Sequence, residues 1–258
     1  MKPFGQKKMV RKMKFISDQA GIMNRYLREQ EHWDAHLNNT MAFILGSFRD
    51  REIRNLAILG SGWLLDLPLK ELSKKFKKIL LVDVYHPPQI IKKAEKYPNV
   101  ILHETDLSGG GIQFCWDLRK AKEEHLENYV LDEFSPKIPD MPVKPDAFIS
   151  LNLLSQLDSL LVEFLERKKV RVTDTEIRRF RAKIQQFHLD WITSKPGCLV
   201  TDVTELANGP GNKSEERPLI VVDFPGSRRS EEWTWDFDLA GTYHHDRETR
   251  MKVAAMEW

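Results

Sequence analysis

The sequence predicts an open α/β protein whose sheet is mostly parallel and covered by helices on both faces. Short apolar runs alternate with segments of helix length between about residues 55 and 202. Strands that are apolar nearly throughout belong to parallel sheets with both faces buried. After residue 230, large aromatic residues alternate with polar ones at a period of two. We therefore expect the chain to close with antiparallel strands.

The composition is that of a folded protein. Of the 258 residues, 41% are hydrophobic and 30% are charged, which supplies enough apolar surface for a core. The length exceeds that of an ordinary domain but fits one sheet domain carrying extra helices. The formal net charge is only +2, so the charge of the whole molecule does not indicate a polyanionic partner.

The sequence shows no sign of a disulfide framework or a membrane span. Cys115 and Cys198 lie far apart and neither belongs to a CxxC motif, so we expect two buried, reduced thiols. No run of about 18 apolar residues occurs, and no apolar signal segment follows the N-terminus. These features predict a soluble cytoplasmic protein.

The first residues form a short basic arm, which we place at residues 1–17. Its solvated state is the simpler interpretation, and contact with nucleic acid or an anionic membrane surface is the alternative. Six basic residues precede Asp18, the first acidic one: Lys2, Lys7, Lys8, Arg11, Lys12 and Lys14. Residues 18–258 are predicted to form a single domain, of which residues 18–48 are an N-terminal helical cap.

Two segments have the periodicity of amphipathic helices. Between residues 18 and 48, apolar residues recur at steps of mostly three and four, which predicts one helix or two helices joined at a bend. Residues 173–194 repeat this pattern, with Thr173 or Asp174 as the N-cap and Glu176 in the first turn. Pro196 and Gly197 end that helix.

Apolar runs predict the strands. Five of them are expected in the parallel part of the sheet: Asn55–Leu59, Ile79–Asp83, Asn99–His103, Asp146–Ser150 and Cys198–Asp202. A further short strand is predicted at Leu219–Asp223. The aromatic segment Trp233–Phe237 is expected to pair with Met251–Met256, and residues 208–213 have the composition of a loop.

A glycine turn separates the first strand from the helix that follows it. Gly60 and Gly62 lack a Cβ, so the backbone can approach a ligand closely, and the following helix offers free N–H donors. Asp83 ends the next strand, 21 residues after Gly62. An acid at this position can accept hydrogen bonds from ribose hydroxyls. The pattern indicates a nucleotide-compatible site.

These motifs, taken in order over roughly residues 55–157, resemble class I S-adenosylmethionine-dependent methyltransferases. The resemblance implies a doubly wound, Rossmann-like sheet of seven strands with an antiparallel last strand, preceded here by an extra N-terminal helix. It implies S-adenosylmethionine as the cofactor and a modest-sized, small-molecule acceptor. The Asn-Pro-Pro-Tyr type of signature, which serves nucleic-acid amino methylation, is replaced by residues 150–155, so base methylation is disfavoured.

The resemblance also assigns roles to individual positions. Gly60, Ser61 and Gly62 would pack under the methionine part of the cofactor, and Asp83 would bind its ribose. The remaining positions implied are Asp106 and Leu107 at the adenine, and Leu151 and Asn152 near the reactive methyl group. The family commonly has an acid and a third glycine where this chain has Ile58 and Leu64. Asp66, just downstream, either contacts the cofactor's amino group or solvates the start of a helix.

Two side chains are candidates for a catalytic base. Asp202 stands at the carboxyl end of the fifth strand, where open α/β sheets place their ligands, although such acids also cap helices. His188 borders the apolar stripe of its helix between Ile184 and Trp191, where a packing role is the alternative.

Other polar groups leave alternatives open. Trp33, His36 and Asn38 could form a lid over the substrate mouth, with a core position the alternative for Trp33. His244, His245 and Asp246 read as a surface turn, and we predict no metal site. Two further functions are compatible with the sequence. One is a non-catalytic binding or scaffold protein of the same fold, and the other is a nicotinamide-nucleotide enzyme.

Overall fold

The computed structural model describes residues 4–48, 52–119, 130–209 and 213–258. One sheet organises these residues. Its strands are β1 (Asn55–Leu59), β2 (Lys78–Asp83), β3 (Val100–Glu104), β4 (Ala147–Leu151), β5 (Gly197–Gly209), β6 (Lys213–Pro218), β7 (Arg229–Asp238) and β8 (Glu248–Glu257). Seven helices accompany them: α1 (Phe4–Lys12), α2 (Phe15–Gly46), α3 (Leu69–Lys75), α4 (Pro88–Ala94), α5 (Gly111–Leu118), α6 (Ser159–Arg167) and α7 (Asp174–Thr193).

The strand order is β3-β2-β1-β4-β5-β8-β7, and β6 pairs with the second half of β5. The five strands from β3 to β5 are parallel, whereas β8 is antiparallel to both of its neighbours. This arrangement confirms the predicted doubly wound, mostly parallel sheet with antiparallel strands at its C-terminal end. The eighth strand, β6, was not predicted.

The predicted strand at Leu219–Asp223 is wrong. That segment is a loop whose polar groups bond to side chains, since Gln185 Oε1 accepts from Val221 N at 2.8 Å and Arg181 donates to the Leu219 carbonyl at 2.8 Å. The strand lies just before it, at β6. Apolar residues of the loop cover α7 instead of extending the sheet.

Alternate residues of the strands feed two apolar layers. In β1, Leu56 and Ile58 face the layer formed with α2, α3 and α4, while Ala57 and Leu59 face the layer formed with α1, α5, α6 and α7. Helices thus cover both faces of the sheet, as predicted. Among the described residues, no helix is long and apolar enough to cross a membrane.

The N-terminal segments pack against the sheet domain. α1 buries Met9 and Val10 and leaves Lys7, Lys8 and Arg11 exposed. α2 carries the predicted bend at Glu29, whose backbone is non-helical. Thr173 caps α7 through the reciprocal box with Glu176, as predicted. The proposed boundary after residue 17 stays a prediction.

Candidate functional site

A cavity of about 620 Å³ opens at the carboxyl edge of the parallel strands, beneath α2. The strand order reverses between β1 and β4 at this edge, and open α/β sheets bind ligands at such a point. The cavity wall includes Gly60, Asp83 and Asp106 on one side, and Asn152 and Asp202 on the other. Because this edge collects the residues that follow β1 to β5, most predicted site residues meet here.

The glycine turn follows β1 as the sequence predicts, but the predicted helix does not begin directly after it, since the next helix, α3, starts at Leu69. Gly60 and Gly62 have φ values of 80° and 47°. A Cβ on Gly60 would lie 2.6 Å from the Leu151 carbonyl oxygen, so no other residue fits there without a shift. Leu64 also has a left-handed backbone, at φ 55°, a conformation that is strained for leucine.

Asp83 fixes this turn from the next strand. Its Oδ2 accepts from Gly62 N at 2.8 Å, and its Oδ1 accepts from Val84 N at 2.7 Å. Gln19 of α2 also donates to Oδ1, at 3.0 Å. The helical cap is therefore bonded directly to the acid that the sequence singles out, and Gln19 Oε1 is itself buried without a partner among the described residues.

Asp106 is held by Ser108, in the loop before α5, and by Ile112 in the first turn of that helix. Its oxygens accept from Ser108 N at 2.9 Å, from Ser108 Oγ at 2.5 Å and from Ile112 N at 3.0 Å. Burial raises the pKa of this carboxyl, and these donors oppose that rise. Leu107 is buried and lines the cavity beside it. We name Gly60–Gly62, Asp83 and Asp106 the glycine-turn side of the cavity.

Asn152 connects the opposite wall to the cap. It follows β4 with φ 44°, a conformation that asparagine tolerates, and its Nδ2 donates to Asp66 Oδ2 at 2.7 Å. The same nitrogen lies 3.4 Å from His36 Nε2 on α2. Burial, with a smaller contribution from the charge of Asp202, raises the pKa of Asp66 to about 6.

His36 is neutral and joins the aromatic strand β7. Trp233 Nε1, which can only donate, lies 3.1 Å from His36 Nδ1, so that ring nitrogen must accept. Burial lowers the pKa of His36 to about 3. The ring also stacks on Trp235, with centroids 3.9 Å apart and planes inclined by 7°. His36 therefore belongs to the cavity wall.

Asp202 lies in the cavity wall, but not at the end of its strand as predicted, because β5 continues to Gly209. The parallel pairing of β5 with β4 ends at Val200, so Asp202 still lies at the carboxyl edge of the parallel strands. It is 5% exposed, and Ser155 Oγ donates to its Oδ2 at 2.9 Å. Its Oδ1 has no hydrogen-bond partner in the described part of the chain. Burial raises the pKa of this carboxyl. We name Asp66, Asn152, Asp202 and Trp235 the β5 side of the cavity.

The structure does not bring His188 to the cavity. The ring is fully buried under β4, where its Nε2 lies 2.9 Å from Ser150 Oγ, and burial lowers its pKa to about 3. Its position between Ile184 and Trp191 on the apolar stripe is the reason. The packing interpretation, rather than the catalytic one, matches this location.

Of the aromatic rings that line the cavity, four pack against one another beside β7: Trp33, Trp235, Phe237 and Tyr243. Trp33 is 2% exposed and its Nε1 donates to the Phe237 carbonyl, so it also belongs to the core. The guanidinium of Arg25 lies 4.4 Å from the Phe237 ring centroid. These rings make one apolar wall from residues that are about 200 positions apart in the sequence.

The histidine pair near the C-terminus forms a surface turn. His245 is exposed and pairs with Asp246 at 2.7 Å, while His244 lies 2.9 Å from Glu205 Oε1. The described residues contain no cluster of three or more side chains suited to a metal ion.

Sequence reasoning placed one wall of the cavity well and missed parts of the other. Gln19, Ser155 and Trp235 were not singled out. Trp235 carried a signal, since it alternates with polar neighbours in an aromatic strand. Gln19 and Ser155 had none, because each takes its role from a partner more than 40 residues away.

Comparison with known proteins adds the following. No protein-family model matches the sequence, and no curated protein matches it. Among solved structures, the chain is similar to Burkholderia thailandensis 1,6-didemethyltoxoflavin-N1-methyltransferase with bound 1,6-didemethyltoxoflavin and S-adenosylhomocysteine. The identity is 12% over 100% of this chain and 91% of that chain, with a TM-score of 0.45.

Two other solved structures are similar over most of their length. The N-methyltransferase NodS from Bradyrhizobium japonicum WM9, in complex with S-adenosyl-L-homocysteine, is 11% identical over 85% of each chain, with a TM-score of 0.38. DhpI in complex with SAH is 10% identical over 95% of this chain and 96% of that chain, with a TM-score of 0.39. At these scores, the fold is assigned from the strand order of this chain itself.

Proposed function

We propose that this protein is an S-adenosylmethionine-dependent methyltransferase that acts on a small-molecule acceptor. The observation that carries the proposal is the glycine turn closed by Asp83 at the edge where the strand order reverses. Gly62 N–H donates to Asp83, and the space around Gly60 excludes a side chain. A ligand can therefore approach the backbone of the turn closely, next to the Asp83 carboxyl. A structural turn alone has no need of a 620 Å³ cavity beside it.

The residues present fit such a cofactor. Gly60–Gly62 would lie under its methionine part, and Asp83 would bind the ribose. Gln19 Oε1 and Asn152 Oδ1 are buried without partners among the described residues and would accept from a bound ligand. Since the Asp106 carboxylate already accepts hydrogen bonds from Ser108 and Ile112, we assign the adenine contact chiefly to Leu107. When bound, S-adenosylmethionine supplies an electrophilic methyl group.

The chain's own groups would position the acceptor. α2 covers the cavity and reduces its access to water, and the aromatic wall offers a flat surface. Asp202 is placed to hold or accept a proton from the acceptor, since its Oδ1 lacks a partner among the described residues and burial raises its pKa. His188 is not part of this proposal, because it lies outside the cavity.

The order of the strands disfavours the nicotinamide-nucleotide alternative. The dinucleotide-binding sheet continues in parallel beyond the fifth strand, whereas β8 here runs antiparallel to β5. The scaffold alternative has one specific observation in its favour: Gln19 already occupies Asp83 Oδ1, where a ribose would bind. A binding measurement separates it from the proposal.

Isothermal titration calorimetry with S-adenosylmethionine and S-adenosylhomocysteine tests the proposal. We expect saturable binding of both compounds, which Asp83→Ala weakens by roughly 10- to 100-fold, because hydrogen bonds to a charged group are lost. Asp190→Ala, on the exposed face of α7, is the matched control and should bind as the wild type does. Absence of heat and of thermal stabilisation with either compound would leave the scaffold alternative.

A further inference from the structure

The carboxyl groups around the cavity differ in how well they are satisfied. Most of them accept from a cation or from two or more donors: Asp83, Asp106, Asp158, Glu163 and Glu205. A carboxylate with such partners is stable in a buried site without help from a ligand.

Asp66 and Asp202 are the exceptions among the lining acids that are not exposed, since Asp18 and Glu166 also line the cavity but are exposed. Each of the two exceptions has one neutral side-chain donor, Asn152 at 2.7 Å for Asp66 and Ser155 at 2.9 Å for Asp202, and otherwise only its own backbone as a hydrogen-bond partner. Both line the same cavity, and the negative charge of Asp202 raises the pKa of Asp66. A buried carboxyl with so few donors is costly to keep ionised. The carboxyl oxygens of the β5 side can therefore accept more hydrogen bonds than the described residues donate to them.

The cationic side chains of the cavity wall interact with other acids. Arg181 pairs with Asp158 at 2.6 Å, and Arg217 pairs with Glu205 at 2.9 Å. Arg25 lies 3.8 Å from Asp238, which is outside the cavity, and packs over the Phe237 and Tyr243 rings. Among the described residues, the cations of the cavity wall thus pair with acids other than Asp66 and Asp202, and Lys93, outside the wall, acts only on Asp66 of these two, whose pKa its charge lowers.

The aromatic surface beside these acids suits a cation or a flat ring. Trp235 is 7% exposed, lines the cavity and stacks on the neutral His36 ring. The faces of indole and phenyl rings attract positive charge, as Arg25 over Phe237 already shows here. A carboxylate brings no donor to the Asp202 carboxyl and an alcohol brings one neutral O–H donor, whereas an ammonium group brings three N–H donors and a positive charge.

We propose that the β5 side binds an acceptor that is an amine carrying an apolar or aromatic group. The Asp202 carboxylate accepts a hydrogen bond from the N–H of that amine. This rests on the proposed function, which supplies the methyl donor. The ammonium gives one proton to the Asp202 carboxylate, which becomes a carboxylic acid. The nitrogen keeps the electron pair of that N–H bond and thereby becomes a neutral nucleophile.

Matched amine and alcohol probes test the inference by binding alone. Phenethylamine is compared with phenethyl alcohol, and tryptamine with tryptophol, by calorimetry on the full chain with and without saturating S-adenosylhomocysteine. The wild type is expected to bind each amine at least about tenfold more tightly than its alcohol, the contribution of one hydrogen bond to a charged group. In Asp202→Asn the two should bind equally. Glu166→Gln removes an exposed carboxylate from the cavity rim and should keep the preference.

The outcomes separate this inference from the proposed function. If neither cofactor compound binds to the wild type, the proposed function fails, whatever the amines do. If both bind and the amines bind no better than the alcohols, the amine inference is overturned. If Asp202→Asn weakens S-adenosylmethionine but not S-adenosylhomocysteine, Asp202 serves the positive sulfur of the cofactor and the inference is again overturned. A single cooperative unfolding transition and an unchanged circular dichroism spectrum of both variants show that the fold is intact.

Discussion

The two sides of the cavity treat their carboxyl groups in opposite ways. On the glycine-turn side, Asp83 and Asp106 accept from backbone N–H groups that the fold places around them. On the β5 side, Asp66 and Asp202 each accept from one neutral side chain, and the only backbone hydrogen bond of each is to its own residue. The first arrangement stabilises the folded chain, whereas the second opposes it until a ligand binds. The carboxyl groups of the glycine-turn side are thus satisfied by the folded backbone, whereas those of the β5 side can still accept hydrogen bonds from a ligand.

The largest expected effect comes from breaking the glycine turn. Gly60→Ala would place a Cβ 2.6 Å from the Leu151 carbonyl at a φ of 80°. We expect a loss of about 3 kcal/mol or more in the free energy of unfolding, together with loss of cofactor binding. Urea denaturation measures the first and calorimetry the second. Gly226→Ala has open space around it and should stay within about 0.5 kcal/mol of the wild type.

Replacing each acid by its amide tests the contrast directly. Asp106→Asn should destabilise the protein by about 1–3 kcal/mol, because an amide nitrogen would face N–H donors. Asp66→Asn should stabilise it by about 1–3 kcal/mol at pH 8, because a buried charge is removed and Asn152 keeps an acceptor. Unfolding by urea is the measurement. The same sign for both variants would contradict the distinction between the two sides.

The pH dependence of Asp66→Asn sharpens this result. The folded pKa of Asp66, about 6, lies above its ordinary value of 3.8. The stability that Asp66 contributes is therefore complete below pH 3.8 and is lost as the pH rises through 6. The advantage of the variant should appear above pH 6 and vanish near pH 4.

A smaller effect is expected from the neutral histidine of the wall. The folded pKa of His36, about 3, lies below its ordinary value of 6.5, so its contribution is present above pH 6.5 and is lost as the pH falls. His36→Gln should reduce the loss of stability between pH 7 and pH 5 by about 1–2 kcal/mol, and alter tryptophan fluorescence. His188→Gln, which is equally buried but outside the cavity, should change the stability and leave amine binding unaltered.

The sequence was informative where apolar patterns or glycine set the backbone. β1 to β4 follow buried apolar runs to within a residue or so, and the glycine turn has its left-handed angles. The pattern failed at β6, an edge strand of charged residues that pairs with β5 through Arg217 and Glu205 and needs no apolar face. The apolar run after it packs on α7 as a loop.

The candidate site was predictable at the strand ends and not in the cap. Residues where parallel strand pairing ends converge on one edge wherever the sheet forms, so Asp83 could be placed in advance, and Asp202 could be placed although β5 extends beyond it to Gly209. Gln19, His36 and Trp235 meet only because α2 crosses the sheet edge next to β7. No local pattern encodes such a meeting. Leu64 is a different case: its backbone is left-handed, a conformation that a leucine in the sequence does not predict.

The bend at Glu29 divides α2 into two parts of unequal stability. Glu29 accepts from the backbone N–H groups of Leu239 and Ala240, and so fastens the helix to the loop after β7 at the point where it bends. Before the bend, Gln19 is the buried residue, whereas after it Trp33, His36, Phe43 and others are buried. Amide hydrogens of residues 15–28 should therefore exchange with solvent faster than those of residues 30–46. Local unfolding would uncover Asp83 while the aromatic wall stays in place.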